Sequence, residues 1–304
     1  MAREPWTGAQ VLPADRIHSA YNLLLAALWA TCLTRSTIAM PLGMLHLVAA
    51  GLPALIRRAP KQLSWPVAVL REYYPLLWIE SYWVELGTLI PLLHSGTHDA
   101  MILRLQAALS GGAWNPEAVT RAPNWIMNET MYFFYASYLP LLIISPIVLG
   151  VAGRTDIVRD FALRVSLVAV VCFSMYLAWP VAGPGYAPGG LPPATGAFSH
   201  GMQLIRSLGD VQGSAFPSSH VAISVTIALV GWRWLPRFIA LALAALAIGI
   251  AVGCVYTRNH YVADVVAAVT LAVMLQLLVV HSQRPTSAGA LPRIGPTSLS
   301  KAGR

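Results

Sequence analysis

The sequence predicts an all-α polytopic membrane bundle, and three observations predict it. The chain is 57% hydrophobic and only 11% charged, where soluble domains carry about 25% charged residues; its mean hydropathy is +0.62. Apolar runs approaching the roughly 20 residues needed to cross a bilayer recur along its length. The formal charge of +8 follows the ends of those runs instead of forming one basic face, so it points to a membrane and not to nucleic acid. Cys32, Cys172 and Cys254 all sit in apolar runs, which argues against a disulfide framework.

Taken in order, residues 1–19 are polar, and the run Ala20–Leu33 is short for a span. Its charged lead is long for a signal peptide, and Arg35 and a second apolar run follow at once. The expectation is a hairpin of two spans, 20–34 and 37–56. A basic stretch with Arg57, Arg58, Lys61 and Arg71 precedes a third span over 73–93. That span carries Glu80 and Glu85, and intramembrane carboxylates are either functional or internally paired. The connection 94–130 holds an amphipathic surface helix over His98–Leu109, ended by Ser110-Gly111-Gly112. Asn128-Glu129-Thr130 is a glycosylation sequon by pattern, but it abuts the next span. Spans four and five cover 131–151 and 162–181. The connection 182–216 is rich in Gly and Pro, with helix expected only over Ser199–Leu208. Span six starts at Pro217, span seven ends near Tyr256, and span eight covers 260–281. Residues 282–304 are polar and basic and are expected to be a disordered cytoplasmic tail. The implied organisation is a tail and membrane hairpin over 1–60, a six-span core over 61–281, and the tail from 282.

Of the twenty Lys and Arg residues, Arg35, Arg104, Arg121, Arg206 and Arg258 fall on one side of this layout and fifteen on the side of both termini. The bias places the termini in the cytoplasm. If the first short run does not cross, only the N-terminus changes side.

The two ends of 213–264 carry the chemistry. Gly213–Ser224 reads GSAFPSSHVAIS, and Cys254–Ala268 reads CVYTRNHYVADVVAA. Two crossings separate them, so His220 and His260 can meet at one membrane surface, the outward one. Asp264 lies four residues after His260, on the same face if the segment is helical. One imidazole can attack phosphorus while the other protonates the leaving oxygen. A carboxylate one turn away can hold the attacking ring in the right tautomer. Pro217 suits a first helical position, and Ser218 and Ser219 add hydroxyls to the anion-binding N–H groups of a helix start. An interfacial histidine or a Pro-Ser-Ser cap is ordinary by itself; the two together, with an aspartate in register, are not.

The pair resembles the type 2 phosphatidic acid phosphatase superfamily, whose motifs read KxxxxxxRP, PSGH and SRxxxxxHxxxD. PSSH at 217–220 matches the second motif with Ser219 in place of glycine, and His260 and Asp264 match the HxxxD of the third. The arginine of that motif falls where this chain has Cys254. The first motif is absent, since neither Lys61 nor Lys301, the two lysines, leads to an RP. These departures are similar to the branch that includes inositol phosphorylceramide synthase and sphingomyelin synthase. There the third motif reads close to HYxxD, as His260-Tyr261-Val262-Ala263-Asp264 does here. YLAWPVAGPGY, Tyr176–Tyr186, resembles the Pro-rich turn of that branch. The resemblance covers residues 70–281.

The resemblance implies His260 as nucleophile, His220 as general acid and then base, and Asp264 as the group orienting His260. Ser218 and Ser219 are expected to bind phosphate. Arg258 and Arg206 are the outward cations nearest the motifs, and Arg258 is taken as the phosphate ligand. A dianionic phosphate monoester calls for several fixed cations. A depleted set suits a monoanionic diester, hence a lipid phosphotransferase moving a phospholipid headgroup phosphate onto a lipid hydroxyl through a phosphohistidine. The alternatives are a phosphatase for phosphatidic-acid-like or polyprenyl phosphates, and a non-catalytic lipid binder or transporter. The last is disfavoured by the absence of an internal repeat and by motifs at span ends. No cofactor is expected, and no carboxylate cluster of the kind that holds Mg²⁺ surrounds the motifs. The expected partners are membrane lipids, in a bacterial inner membrane with the site facing the periplasm or lumen.

Overall fold

A computed structural model of the chain describes residues 10–60, 62–110, 124–187 and 189–282. Among them there is no β-strand, and the chain is an all-α bundle. The tail 283–304 lies outside the described residues.

The N-terminal hairpin is α1 (Pro13–Thr31), then α2 (Ala39–Ala50) and α3 (Leu52–Arg58), which run on as one apolar stretch. The first helix begins seven residues before the expected 20, because its polar start is buried and paired. Arg71 donates to Asp15 at 2.6 Å, Tyr74 donates to the same carboxylate, and His18 meets Ser166 Oγ at 2.8 Å. Tyr21, Leu25 and Trp29 of α1 share one buried cluster with Tyr82, Phe161, Tyr176 and Ile223. The hairpin is therefore part of the same packed interior as the rest.

Nine further α-helices among the described residues complete the bundle. α4 (Trp65–Leu93) starts eight residues before the expected span and passes through Pro75. Its Glu85 is internally paired, accepting from Trp29 Nε1–H and meeting His46 Nε2 at 2.8 Å. α5 (Asp99–Ser110) is the expected surface helix: Ile102 and Gln106 are buried, while Met101, Leu103 and Leu105 are exposed. α6 (Trp125–Ala136) and α7 (Tyr138–Val151) form one bent span with an angle of 42°. At the break Ser137 Oγ donates back to the Phe133 carbonyl at 2.7 Å, the kind of local bond that bends a helix. α8 (Thr155–Ala178) is the central helix, with Val165, Val168, Ala169 and Cys172 fully enclosed. After the surface helix α9 (Ala197–Gly209) come α10 (Ser219–Trp234), α11 (Arg237–Tyr256) and α12 (Val262–Ser282).

Among the described residues five helices are long and apolar enough to cross a membrane, or six with the bent pair. The other two expected spans are α1, whose Asp15 and Arg16 lower its hydropathy, and α10, which has 16 residues. α10 sits inside the bundle, with Val221, Ala222, Ile223 and Ile227 buried, so its length need not match the lipid.

Inside a bilayer no hydrophobic effect drives helices together, so close backbone approach matters more. α11 meets α6 through Gly249 and Gly253. A Cβ on Gly249 would lie 2.3 Å from the Phe134 ring, and one on Gly253 would lie 2.8 Å from the Met131 carbonyl oxygen. This contact holds α11 close against α6 within its last two turns, just before the turn that carries His260.

Candidate active site

The PSSH residues form the start of α10. Ser218 is the N-cap, its Oγ accepting from Val221 N–H at 3.3 Å, and Pro217 lies one residue outside the helix, not at its first position. A serine hydroxyl can satisfy a free helix N–H and proline cannot, so the serine takes the cap. Tyr176 ties down the approach: Ser219 N–H donates to its hydroxyl at 2.9 Å, and the hydroxyl donates to the Pro217 carbonyl at 2.7 Å. Two N–H groups at this helix start are thus already satisfied within the protein. Ser218 is fully buried, while Ser219 lines the cavity described below.

The HYVAD stretch begins in the turn between α11 and α12. The turn is tight because Asn259 and His260 N–H both donate to the Cys254 carbonyl, at 3.1 and 3.2 Å, and Arg258 takes a left-handed φ of 59°. His260 precedes α12 by two residues, so it does not share a helical face with Asp264 in the expected way. The aspartate acts first on its own helix start: its Oδ2 accepts from Tyr261 N–H at 2.7 Å. That same oxygen lies 3.6 Å from His260 Nδ1, beyond hydrogen-bond length. The bond from His260 Nδ1–H goes instead to the Ala215 carbonyl, at 2.9 Å. A carbonyl only accepts, so Nδ1 carries the proton and Nε2 keeps its lone pair.

Ala215 is held by the other end of the same connection. Ala215 N–H donates to the Val181 carbonyl at 2.8 Å, and Val181 N–H donates to the Gly213 carbonyl at 3.1 Å. Asp99, at the start of α5, accepts from Ala182 and Gly183 N–H, both at 2.9 Å, and from the Tyr261 hydroxyl at 3.0 Å. Burial alone would raise the Asp99 carboxyl, but bonds from Thr97, Ala182, Gly183 and Tyr261 outweigh it and hold the group below its ordinary value. Asp99 and Ala215 are absent from any motif. Their roles are made by backbone groups far away in sequence, so no residue pattern signals them.

The two imidazoles face one another with ring centroids 5.7 Å apart, close enough for both to touch one phosphoryl group. His220 stands among the rings of Tyr138, Tyr135 and Trp83, at 4.4, 5.2 and 6.3 Å. Its Nδ1 is buried with no hydrogen-bond partner among the described residues. It lines a cavity of about 110 Å³ together with Glu80, Trp83, Arg206, Asp210 and Ser219. His260 is 4% exposed and lies behind His220. Burial pushes the His260 imidazole down to about 4, against the bond to Ala215, so the ring is neutral at neutral pH.

Two arginines reach this region. Arg258 is buried beneath the Gly/Pro-rich connection, where its Nη2 donates to the Pro184 carbonyl at 3.1 Å and its Nη1 would lie 2.7 Å from a Cβ on Gly189. It does not line the cavity. Arg206, from the last turn of α9, does. It donates to Asp210 at 2.5 Å and to Asn259 Oδ1 at 2.7 Å, and it stacks 5.0 Å from the Tyr186 ring. Burial works against its charge, but Asp210 and Tyr186 hold the guanidinium above its ordinary value. Of the intramembrane carboxylates, Glu80 faces this cavity and Glu85 does not. The sequon asparagine is fully buried, with Nδ2 donating to Pro193 and Thr195, so it offers no glycosylation site. Among the described residues no group of three or more His, Cys, Asp or Glu side chains is placed to hold a metal ion.

Fold and site together define an integral membrane protein of helices with a buried two-histidine centre. The chain belongs to the PAP2 superfamily, whose model matches residues 101–278, from within α5 to within α12. Members of that superfamily are phosphatases or phosphotransferases acting on lipid phosphates. No curated protein and no solved structure matches the chain.

Proposed function

We propose that the protein is a lipid phosphotransferase that passes a phospholipid headgroup phosphate to a lipid hydroxyl. His260 Nε2 attacks phosphorus and forms a phosphohistidine. His220 gives a proton to the departing oxygen, then takes one from the acceptor hydroxyl as it attacks. Asp264 supports the His260 turn, Ser219 and Arg206 meet the phosphate, and Ser218 shapes the helix start that holds them. The proposed arrangement of the chain keeps the hairpin before residue 61 as a support for the core that follows it.

One observation carries the choice of transfer over hydrolysis of a monoester. Among the described residues lining the cavity, Arg206 is the one guanidinium, and Asp210 already neutralises it. Such a site suits one negative charge better than two. The test is turnover of a phosphodiester lipid against the matching phosphatidic-acid-like monoester, with and without a lipid alcohol. Preferential release of phosphate from the monoester would favour the phosphatase reading.

The pH dependence follows from the buried His260. Its pKa is lowered in the folded protein, so the neutral nucleophile persists well below the value of a free imidazole. The acid limb of kcat/KM for adduct formation should fall near pH 4 and not near 6.5. Folding stability has the matching sign: acid favours the unfolded chain, whose imidazole protonates more readily, so stability falls as pH drops below about 6.5.

The fifteen-to-five distribution of basic residues supports cytoplasmic termini and an outward site. Cysteines introduced in 185–200 should react with an impermeant reagent in intact cells, and cysteines in 285–300 should not. The reverse pattern would overturn the orientation.

A further inference from the structure

The helix α9 divides its surface three ways. At 100° per residue, Ser199, Met202, Gln203 and Arg206 fall on one sector and face the protein; Ser199 and Met202 are buried. His200 and Ser207 form a narrow polar sector in solvent. Phe198, Leu204, Ile205 and Leu208 form the third sector, and they are 45, 62, 46 and 81% exposed. A helix in water needs two faces; one lodged where protein, water and lipid meet needs three.

Its ends are fastened to two spans. At the N-terminal end, Glu129 of α6 accepts from Phe198 N–H at 2.9 Å, and the Phe198 ring packs 5.2 Å from Phe133 of the same helix. At the C-terminal end, Trp83 of α4 donates to the Gly209 carbonyl at 3.3 Å. The helix therefore bridges α6 and α4, and the His220 cavity opens between those spans beneath it. Its apolar sector continues the outer apolar surface of α6, where Phe133 and Ile126 are exposed.

We infer that α9 is an interfacial helix whose Phe198–Leu208 sector is embedded in the acyl region of the leaflet on the site's side, and that a lipid enters sideways beneath it. The embedded sector sets the depth of the helix, and the protein-facing sector brings Arg206 to the cavity at that depth. A lipid phosphate sliding between α4 and α6 then meets Arg206 before it reaches His220. The entry half of this inference rests on the proposed phosphoryl transfer; the embedding half does not.

The test uses the full chain in phospholipid vesicles. Cys32, Cys172 and Cys254 are fully buried, so single cysteines at Leu204, Ser207 and Leu208 can be labelled with bimane. Lipids brominated on their acyl chains should quench the label at Leu204→Cys and Leu208→Cys and leave Ser207→Cys bright. Equal quenching at all three, or none at 204 and 208, overturns the embedding. In the second arm, Leu204→Glu with Leu208→Glu should raise KM for a long-chain lipid by about 10-fold or more while a short-chain monomeric ester is turned over at the wild-type rate. Equal loss on both substrates overturns sideways entry. If the wild type turns over neither substrate, the transferase reading and the entry route fail with it, and the quenching result still decides the embedding.

Discussion

His260→Ala should abolish both the covalent adduct and turnover. With donor lipid labelled in its headgroup phosphate, the wild-type protein should acquire label that is acid-labile and base-stable, as a phosphoramidate is, and the variant should acquire none. The loss in kcat should be at least about 10⁴-fold, since the remaining imidazole, His220, is assigned to moving the proton and not to attacking phosphorus. The geometry predicts a different result for Asp264→Asn. The His260 tautomer is set by the Ala215 carbonyl at 2.9 Å, and Asp264 Oδ2 is 3.6 Å away and occupied by Tyr261 N–H. The substitution should cost about 10–10²-fold, well short of the ~10⁴ seen when an aspartate alone holds a catalytic histidine. Full activity in His260→Ala would refute the nucleophile. A loss near 10⁴ in Asp264→Asn would show that the carboxylate, and not the carbonyl, orients the ring.

His220→Ala should slow adduct formation by about 10²–10⁴-fold when the leaving group is an alkoxide, because that oxygen needs its proton in the transition state. With an activated phenolate leaving group the same variant should lose little. The difference between the two substrates is the diagnostic quantity. A uniform loss on both would mean that His220 shapes the cavity among Tyr135, Tyr138 and Trp83, whose rings surround it, without moving a proton.

Much of this was legible in the sequence because membrane burial writes itself into composition. Apolar runs of span length define the helices, and basic residues at their ends suggest the orientation. PSSH and HYVAD could be paired because an even number of crossings returns the chain to one surface; the imidazoles do meet, 5.7 Å apart. The starts of helices were less legible. α1 extends back to Pro13 because Asp15 and His18 find buried partners in Arg71, Tyr74, Tyr82 and Ser166, and a hydropathy reading counts such residues as tail. The bend at Ser137 has the same character, since it depends on which carbonyl the hydroxyl takes.

The sequence by itself determined the membrane class, the helical bundle and the two histidines, because each depends on the identity of residues in short stretches. Only the tertiary structure decided how those histidines are held. The partner of His260 is a backbone carbonyl at Ala215, stitched to Val181 and anchored through Asp99, and every residue type carries such a carbonyl. The choice of Arg206 over Arg258 as the cation in the cavity was decided the same way. Both are arginines near a motif; α9 swings one over the opening, while a left-handed turn buries the other beneath the Pro184–Gly190 connection. Spacing along the chain cannot distinguish them, because the difference is the direction in which a loop folds back.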